Sequence, residues 1–227
     1  MGESSTFGID DITFLGVVTL AAIPKEDVAD FVADLSSAGI RFAFFSPFGE
    51  RESKAFANRL GLETDWNSCV LLSDEDRLAG GYQEMFDIKA RLPRGPTAIR
   101  KHLAEVDDIP LHVSLFAECT PTNVEEMIQI FQEYHETVCS MGSMLNLSNL
   151  VLFMASDVSI GVEPFRTRLL RFTYRPEKLN ALKAGAFLTS VPCALSVQYD
   201  TSPYIVLQAI RDARRLVQGL RQVAMNR

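Results

Sequence analysis

The stretch Val138–Val162, VCSMGSMLNLSNLVLFMASDVSIGV, decides the fold. An apolar run leads into Gly142, a helix-like segment Leu145–Ala155 follows, and VSIGV closes the stretch as a second apolar run. Short apolar runs on either side of a helical segment read as parallel strands covered on both faces. Strand, turn, helix and strand make one right-handed unit, and the Gly turn then lies beyond a strand's carboxyl end, where α/β proteins hold ligands. Between Gly142 and Leu152, however, there is no Asp, Glu, Lys, His or Arg. The turn has the position of a binding loop without its charges.

The same rhythm extends in both directions. Asp11–Leu20 is rich in β-formers and predicts a strand. Pro24 opens a helix whose Val28, Phe31, Val32 and Leu35 share one face and which Gly39 ends. Ile40–Phe45 predicts a strand, SPFGE a turn, Arg51–Leu60 a helix stopped by Gly61, and Ser68–Leu72 a strand. The pattern dissolves from Ser73 to Pro96, where Gly80, Gly81, Pro93, Gly95 and Pro96 suggest a flexible insertion. A helical stripe (Ile99, Leu103, Val106) and a strand (Leu111–Phe116) come next. Thr120 and Pro121 form an N-cap and N1 pair before a helix with Val124, Ile128 and Phe131 on its core face. A second loose region covers residues 163–183, Cys193–Val197 predicts a last strand, and Ser202 and Pro203 open a long final helix. In that helix Val206, Ile210, Ala213, Val217, Leu220 and Ala224 form a narrow seam flanked by Arg211, Arg214, Arg215 and Arg221.

Composition limits the function classes. With 227 residues, 47% hydrophobic and 22% charged, the chain can bury a substantial core. A net charge of −7 and a pI near 5.0 argue against nucleic acid as a partner. Cys69, Cys119, Cys139 and Cys193 lack a C-x-x-C spacing and read as reduced, buried thiols; His102, His112 and His135 lack metal-ligand spacing. Met141, Met144 and Met154 read as core filler, and Trp66 as core or rim packing. The N-terminus has no signal-peptide pattern, and the longest apolar run, Ile12–Ile23, has 12 residues, too few to cross a bilayer.

Three turns, SPFGE, ECTPTN and MGSMLNLSN, come in an order that resembles the phosphorylation-domain region of P-type ATPases. DITFLGVVTLAAIPKEDVADFVADLSSAGIRFAFFSPFGE is similar to the family's LTFLG, DPPR, AGI and TGD segment; LFAECTPTNVEEMIQIFQE is similar to FARVTPxxKxxIV. VCSMGSMLNLSNLVLFMASDVSIGV resembles VAMTGDGxNDxxALxxADIGIAM. Within that superfamily, KARLPRGPTAIRKHL, SLFAECTP and MLNLSNLVLFMASDVSI most resemble the divergent transmembrane protein 94 family. The resemblance implies a haloacid-dehalogenase-like, Rossmann-like α/β fold with a mainly parallel sheet and flanking helices, lacking the DKTG strand. It divides the chain into a strand and hinge (1–23), a phosphorylation-domain-like core (24–201) and an Arg-rich, stalk-like helix (202–227).

The departures from the family pattern bear on activity. Ser46, Pro47 and Phe48 stand at TGD, Val124 at the phosphate-binding Lys, and Gly142, Ser143, Met144, Leu145, Asn146 and Leu147 at GDGxND. Ser46, Thr120, Gly142, Ser143, Asn146 and Asp157 are the remnants that the resemblance implies at the phosphate and Mg²⁺ loops. Taken as residues alone, Ser46 reads as a turn former, and Thr120, Asn146 and Asp157 as groups that cap backbone N–H. Phosphoryl transfer needs charge neutralisation, and Mg²⁺ needs hard oxygen ligands. The expectation is therefore a chain with no catalytic residue, metal site or cofactor of its own, although the family uses ATP and Mg²⁺. The resemblance implies a coupling module of a cation transporter, with magnesium as cargo, on the cytoplasmic side of the endoplasmic reticulum or another internal membrane. Its partners would be the transporter's other domains and transmembrane helices, with Arg211, Arg214, Arg215 and Arg221 near the membrane surface. The alternative is a free-standing cytoplasmic pseudoenzyme that binds a protein partner. In the resembled fold the DKTG strand is central, so its absence leaves two strand edges unpaired.

Overall fold

The computed structural model describes residues 13, 16–19, 23–65, 67–73, 92–163, 190–198 and 201–225. Its elements are α1 (Val28–Ser37), β1 (Phe44–Phe45), α2 (Glu50–Arg59), β2 (Cys69–Leu71), α3 (Gly95–Glu105), the single turn α4 (Ile109–His112), β3 (Leu115–Ala117), α5 (Pro121–Glu133), β4 (Cys139–Ser143), α6 (Asn149–Ala155), β5 (Val158–Glu163), β6 (Leu195–Gln198) and α7 (Pro203–Met225). Among the described residues every strand pairing is parallel, in two three-stranded sheets ordered β1-β3-β2 and β4-β5-β6. The chain is thus α/β and Rossmann-like, and its parallel strands fall into two sheets with β1 and β4 as edges rather than closing up into one.

The first sheet shows why its strands read as continuous apolar runs. Side chains alternate between faces. Phe116 and Val70 enter one core with Ile99, Val124, Met127 and Phe131 of α3 and α5. Leu115, Ala117 and Cys69 enter a second core with Ala57 of α2, and Val28 and Val32 of α1 pack against it. Phe116 is fully buried, stacked on Phe45 at 4.7 Å and edge-on to Phe131 at 6.1 Å.

The helices end where the sequence places their stops. Gly39 and Gly61 take left-handed φ values of 68° and 78°. The N–H of Ile40 returns to the Leu35 carbonyl (2.9 Å) and that of Leu62 to Ala57 (3.1 Å), the Schellman arrangement. α5 ends the same way, with His135 rather than glycine at φ 66° and Glu136 N–H on the Phe131 carbonyl (3.0 Å). At its start Thr120 Oγ1 accepts the N–H of Asn123 at 3.3 Å. Thr120→Ala is expected to lower the unfolding free energy by about 1 kcal/mol, measured by urea denaturation.

Among the described residues no strand lies between β1 and β4. The N–H groups of Phe44 and Ser46 bond to carbonyls of Ser114 and Phe116 (2.8 and 2.9 Å), so the intervening Phe45 directs its backbone groups away from β3. Likewise the carbonyl of Val138 and the N–H of Met144 bond to Val158 and Val162, so Cys139, Met141 and Ser143 face away from β5. A cleft of about 380 Å³ lies between these edges, lined by Ala43, Phe45, Val138 and Cys139, by Ile128 and Phe131 of α5, and by Ile210 and Ala213 of α7.

Several sequence expectations are corrected. Residues 13 and 16–19, the described part of the first predicted strand, are not in a strand, and Val17 and Val18 are 75% and 89% exposed. Strand propensity is realised only against a partner strand, and none pairs with them among the described residues. Leu111–Phe116 begins as α4, because Pro110 favours a first helical turn and Asp107 Oδ1 accepts the N–H of Ile109 at 3.1 Å. His102, 2.9 Å from Asp107, holds that carboxyl below the usual range. Gly95 and Pro96, read as loop breakers, open α3, where a proline forfeits no hydrogen bond. Residues 74–91 of the insertion, 164–183 of the loose region and Trp66 lie outside the described residues.

Candidate functional site

Three turns follow carboxyl ends of strands: residues 46–49 after β1, 118–120 after β3 and 144–148 after β4. The first two are joined. The N–H of Cys119 donates to the Ser46 carbonyl (2.9 Å) and that of Glu118 to the Phe48 carbonyl (2.8 Å). Ser46 is buried, and its Oγ accepts the N–H of Phe48 at 3.3 Å and lies 2.8 Å from Ser53 Oγ. Its hydroxyl therefore holds the turn, while Phe48 beside it is 60% exposed. Beyond Thr120, Asn123 Nδ2 donates to the Leu72 carbonyl at 2.6 Å and ties α5 to the end of β2.

The third turn is built on amide groups. Asn146 Oδ1 accepts the N–H of Ser148 at 3.1 Å, and its carbonyl accepts the N–H of Asn149 at 3.0 Å. Asn146 thus forms a side-chain-closed turn ahead of α6, whose N-cap is Ser148. Ser143 Oγ accepts the N–H of Leu145 at 3.3 Å. Asn149, which sequence reading did not single out, reaches back to donate from Nδ2 to the Ser143 carbonyl at 2.9 Å. A methyl group on Gly142 would lie 2.7 Å from that Nδ2, so the glycine makes room for the amide. Gly142→Ala is expected to lower the unfolding free energy by about 1 kcal/mol, the typical worth of the displaced hydrogen bond. The loss should shrink in an Asn149→Ala background, as a double-mutant denaturation cycle would show.

Ser46 and Thr120 share no hydrogen bond with Gly142, Ser143 or Asn146, which belong to the other sheet. Asp157 stands at the amino end of β5, away from all three turns. Its Oδ2 accepts the N–H of Val138 (2.8 Å) and lies 3.3 Å from Gln132 Nε2, joining α5 to the start of β4.

One polar cluster at this end of the first sheet carries no spacing signal in the sequence. Glu118 adopts a left-handed φ of 55°, and its Oε2 lies 2.6 Å from Arg94 Nη2 and accepts the Ser73 hydroxyl. Arg94 also donates to Ser73, from Nε to the carbonyl (2.9 Å) and from Nη2 to Oγ (2.8 Å).

The thiols differ from the uniform burial expected: Cys69 is buried, Cys119 and Cys193 are half-buried and Cys139 is exposed, all of them free. Burial pushes both Cys69 and Cys119 up to about 12, so neither is a thiolate near neutral pH. Met144 packs over Gly161, but Met141 and Met154 are 50% and 77% exposed. Leu147 and Val151 are exposed with Met154, forming an outward apolar row on and before α6.

In α7, Val206 and Leu207 are buried. Arg214 Nη1 donates to the carbonyls of Ala38 (2.8 Å) and Gly39 (3.3 Å), just past the carboxyl end of α1, a favourable place for a cation. Arg215 pairs with Asp212 at 3.6 Å, and Arg211 has no charged partner among the described residues. The side chains of Arg221, Leu220 and Ala224 lie outside the described ones.

No family model matches the chain. It is 30% identical over 270 residues to Transmembrane protein 94 of Mus musculus and 29% identical over 270 residues to that of Homo sapiens. Each match covers 92% of this chain and 20% of the relative, so the chain corresponds to about a fifth of their length. No helix among the described residues is long and apolar enough to cross a membrane. The protein is thus homologous to one segment of Transmembrane protein 94.

Proposed function

We propose that the chain is a catalytically incomplete, P-type-ATPase-like cytoplasmic module of a membrane protein, and that it transmits conformational change rather than transferring phosphate. The observation that carries this reading is the chemistry at the strands' carboxyl ends. Phosphoryl transfer rests on carboxylates, a cation and Mg²⁺ placed around the phosphate. Phe48 and Leu147 are exposed apolar groups there, at positions where the resembled family has acids. Val124, at the position of its phosphate-binding lysine, is 6% exposed within the core. Loss of one preorganised electrostatic partner typically costs about 10²–10³ in rate, and several are replaced here. Haloacid-dehalogenase-like ancestry, the endoplasmic reticulum and magnesium as transported cargo belong to this same reading.

The open edges of β1 and β4 give the module a means of coupling. A single parallel strand from the larger polypeptide would pair with both and join the two sheets, with α5 and α7 covering its faces. Arg214, which ties α7 to α1, would carry movement of that strand into the terminal helix.

Purified chain incubated with Mg²⁺ and ATP, or with a phosphatase substrate, is expected to show no turnover above the blank and no phosphoenzyme. Mg²⁺-dependent turnover abolished by Ser143→Ala would contradict the reading. The outward row of Leu147, Val151 and Met154 favours a second use of the same scaffold, the binding of a protein partner. Leu147→Glu and Met154→Glu would then abolish partner binding while leaving the fold intact, as judged by circular dichroism.

A further inference from the structure

The cluster of Ser73, Arg94 and Glu118 plays no part in the reading above. Ser73 stands two residues beyond β2, Arg94 immediately precedes α3 and Glu118 follows β3. The serine hydroxyl is held between a guanidinium and a carboxylate: Arg94 Nη2 is 2.8 Å from Ser73 Oγ and 2.6 Å from Glu118 Oε2, and that carboxylate accepts the hydroxyl proton. In the sequence Ser73 is followed directly by Asp74, Glu75 and Asp76. A kinase with a basic substrate groove selects serines by such downstream acids through charge complementarity.

We propose that Ser73 is a phosphorylation site for an acidophilic protein kinase, and that Arg94 then exchanges Glu118 for the phosphate. In the transfer the Oγ–H proton passes to the kinase's base. A bond forms between Ser73 Oγ and the γ-phosphorus of ATP as the bond from that phosphorus to the β,γ-bridging oxygen breaks, and ADP leaves. The product carries about −1.5 to −2 charges and three acceptor oxygens. Arginine binds such a group through paired N–H donors, and Arg94 already points Nη2 at the oxygen that would carry it. Glu118, in hydrogen-bond contact with the same oxygen, would face a like charge and be displaced. Its backbone N–H holds the Phe48 carbonyl at 2.8 Å, so the carboxylate is released from a residue that stays anchored between the turns after β1 and β3. The switch is independent of any catalytic or transport role.

The test is phosphorylation of the 227-residue chain by an acidophilic kinase with ATP and Mg²⁺, mapped by mass spectrometry. Phosphate is expected at Ser73 and is lost in Ser73→Ala; absence of phosphate at Ser73 overturns the site. The phosphorylated chain is then titrated by ³¹P NMR. The second phosphoserine pKa, ordinarily about 6, is expected to fall by about one unit beside Arg94. It should return in Arg94→Gln and fall further in Glu118→Gln, which keeps the arginine and removes the competing carboxylate. A pKa that neither substitution moves overturns the exchange of partners.

Discussion

Phe116→Ala is expected to lower the unfolding free energy by about 3–5 kcal/mol, the usual cost of emptying a fully buried phenylalanine site. Phe116 is fully buried on the middle strand of the first sheet, stacked on Phe45 of β1 and edge-on to Phe131 of α5. The site has little freedom to collapse, because α3 and α5 close its core from the other side. Single domains have only about 5–15 kcal/mol in total, so the variant should be partly unfolded at moderate temperature. Urea denaturation of wild type and variant checks this, and a loss below about 1.5 kcal/mol would show that the core is less tightly packed than described.

The second large effect concerns the divided sheet. Among the described residues, backbone groups of Phe45 and Cys139 at the cleft, and of Met141 farther along the same edge of β4, have no strand partner. Their amides are expected to exchange with solvent far faster than the amide of Phe116, inside the first sheet. Opening free energies run from about 0 at unpaired edges to the global value in core strands. On the proposed reading, the same amides should slow by about 100-fold or more in a longer polypeptide that supplies a strand to pair with both edges. Hydrogen exchange read by NMR or mass spectrometry compares the two. Equal exchange in both would mean that β1 and β4 stay unpaired and that coupling does not pass through the cleft.

Local structure was legible in the sequence where one residue decides it. Gly39 and Gly61 mark helix ends because few other residues take a left-handed φ without cost, and Thr120 with Pro121 marks a start for equally local reasons. The apolar runs around Phe45, Val70, Phe116 and Ile160 gave the strands, since a parallel strand covered on both faces needs no polar alternation. The two unpaired edges were legible only through the family resemblance, which places an absent strand at the centre of the sheet; propensity alone carries no such signal, because neighbour and register arise from tertiary pairing. Leu111–His112 misled for the opposite reason: their strand-like composition yielded to a proline and an aspartate that favour a helical turn.

At the candidate site, Ser46 and Asn146 carried enough local chemistry to be read as turn formers. Asn149 was hidden because its partner, the Ser143 carbonyl, lies back across the turn. Ser73, Arg94 and Glu118 were hidden because only the fold brings three such distant positions together. The exposure of Met141 and Met154 likewise depends on which side of β4 and α6 remains uncovered, which composition does not encode.

The central claim, that this chain works as a non-catalytic part of a larger membrane protein, is tested most directly by the size and fractionation of the native polypeptide. An antibody raised against residues 73–96 would be used on cells that express it. A species several times larger than 25.3 kDa in the membrane pellet is the predicted result. A soluble species of 25.3 kDa would contradict the account and turn attention to the apolar row of Leu147, Val151 and Met154 as a partner-binding surface.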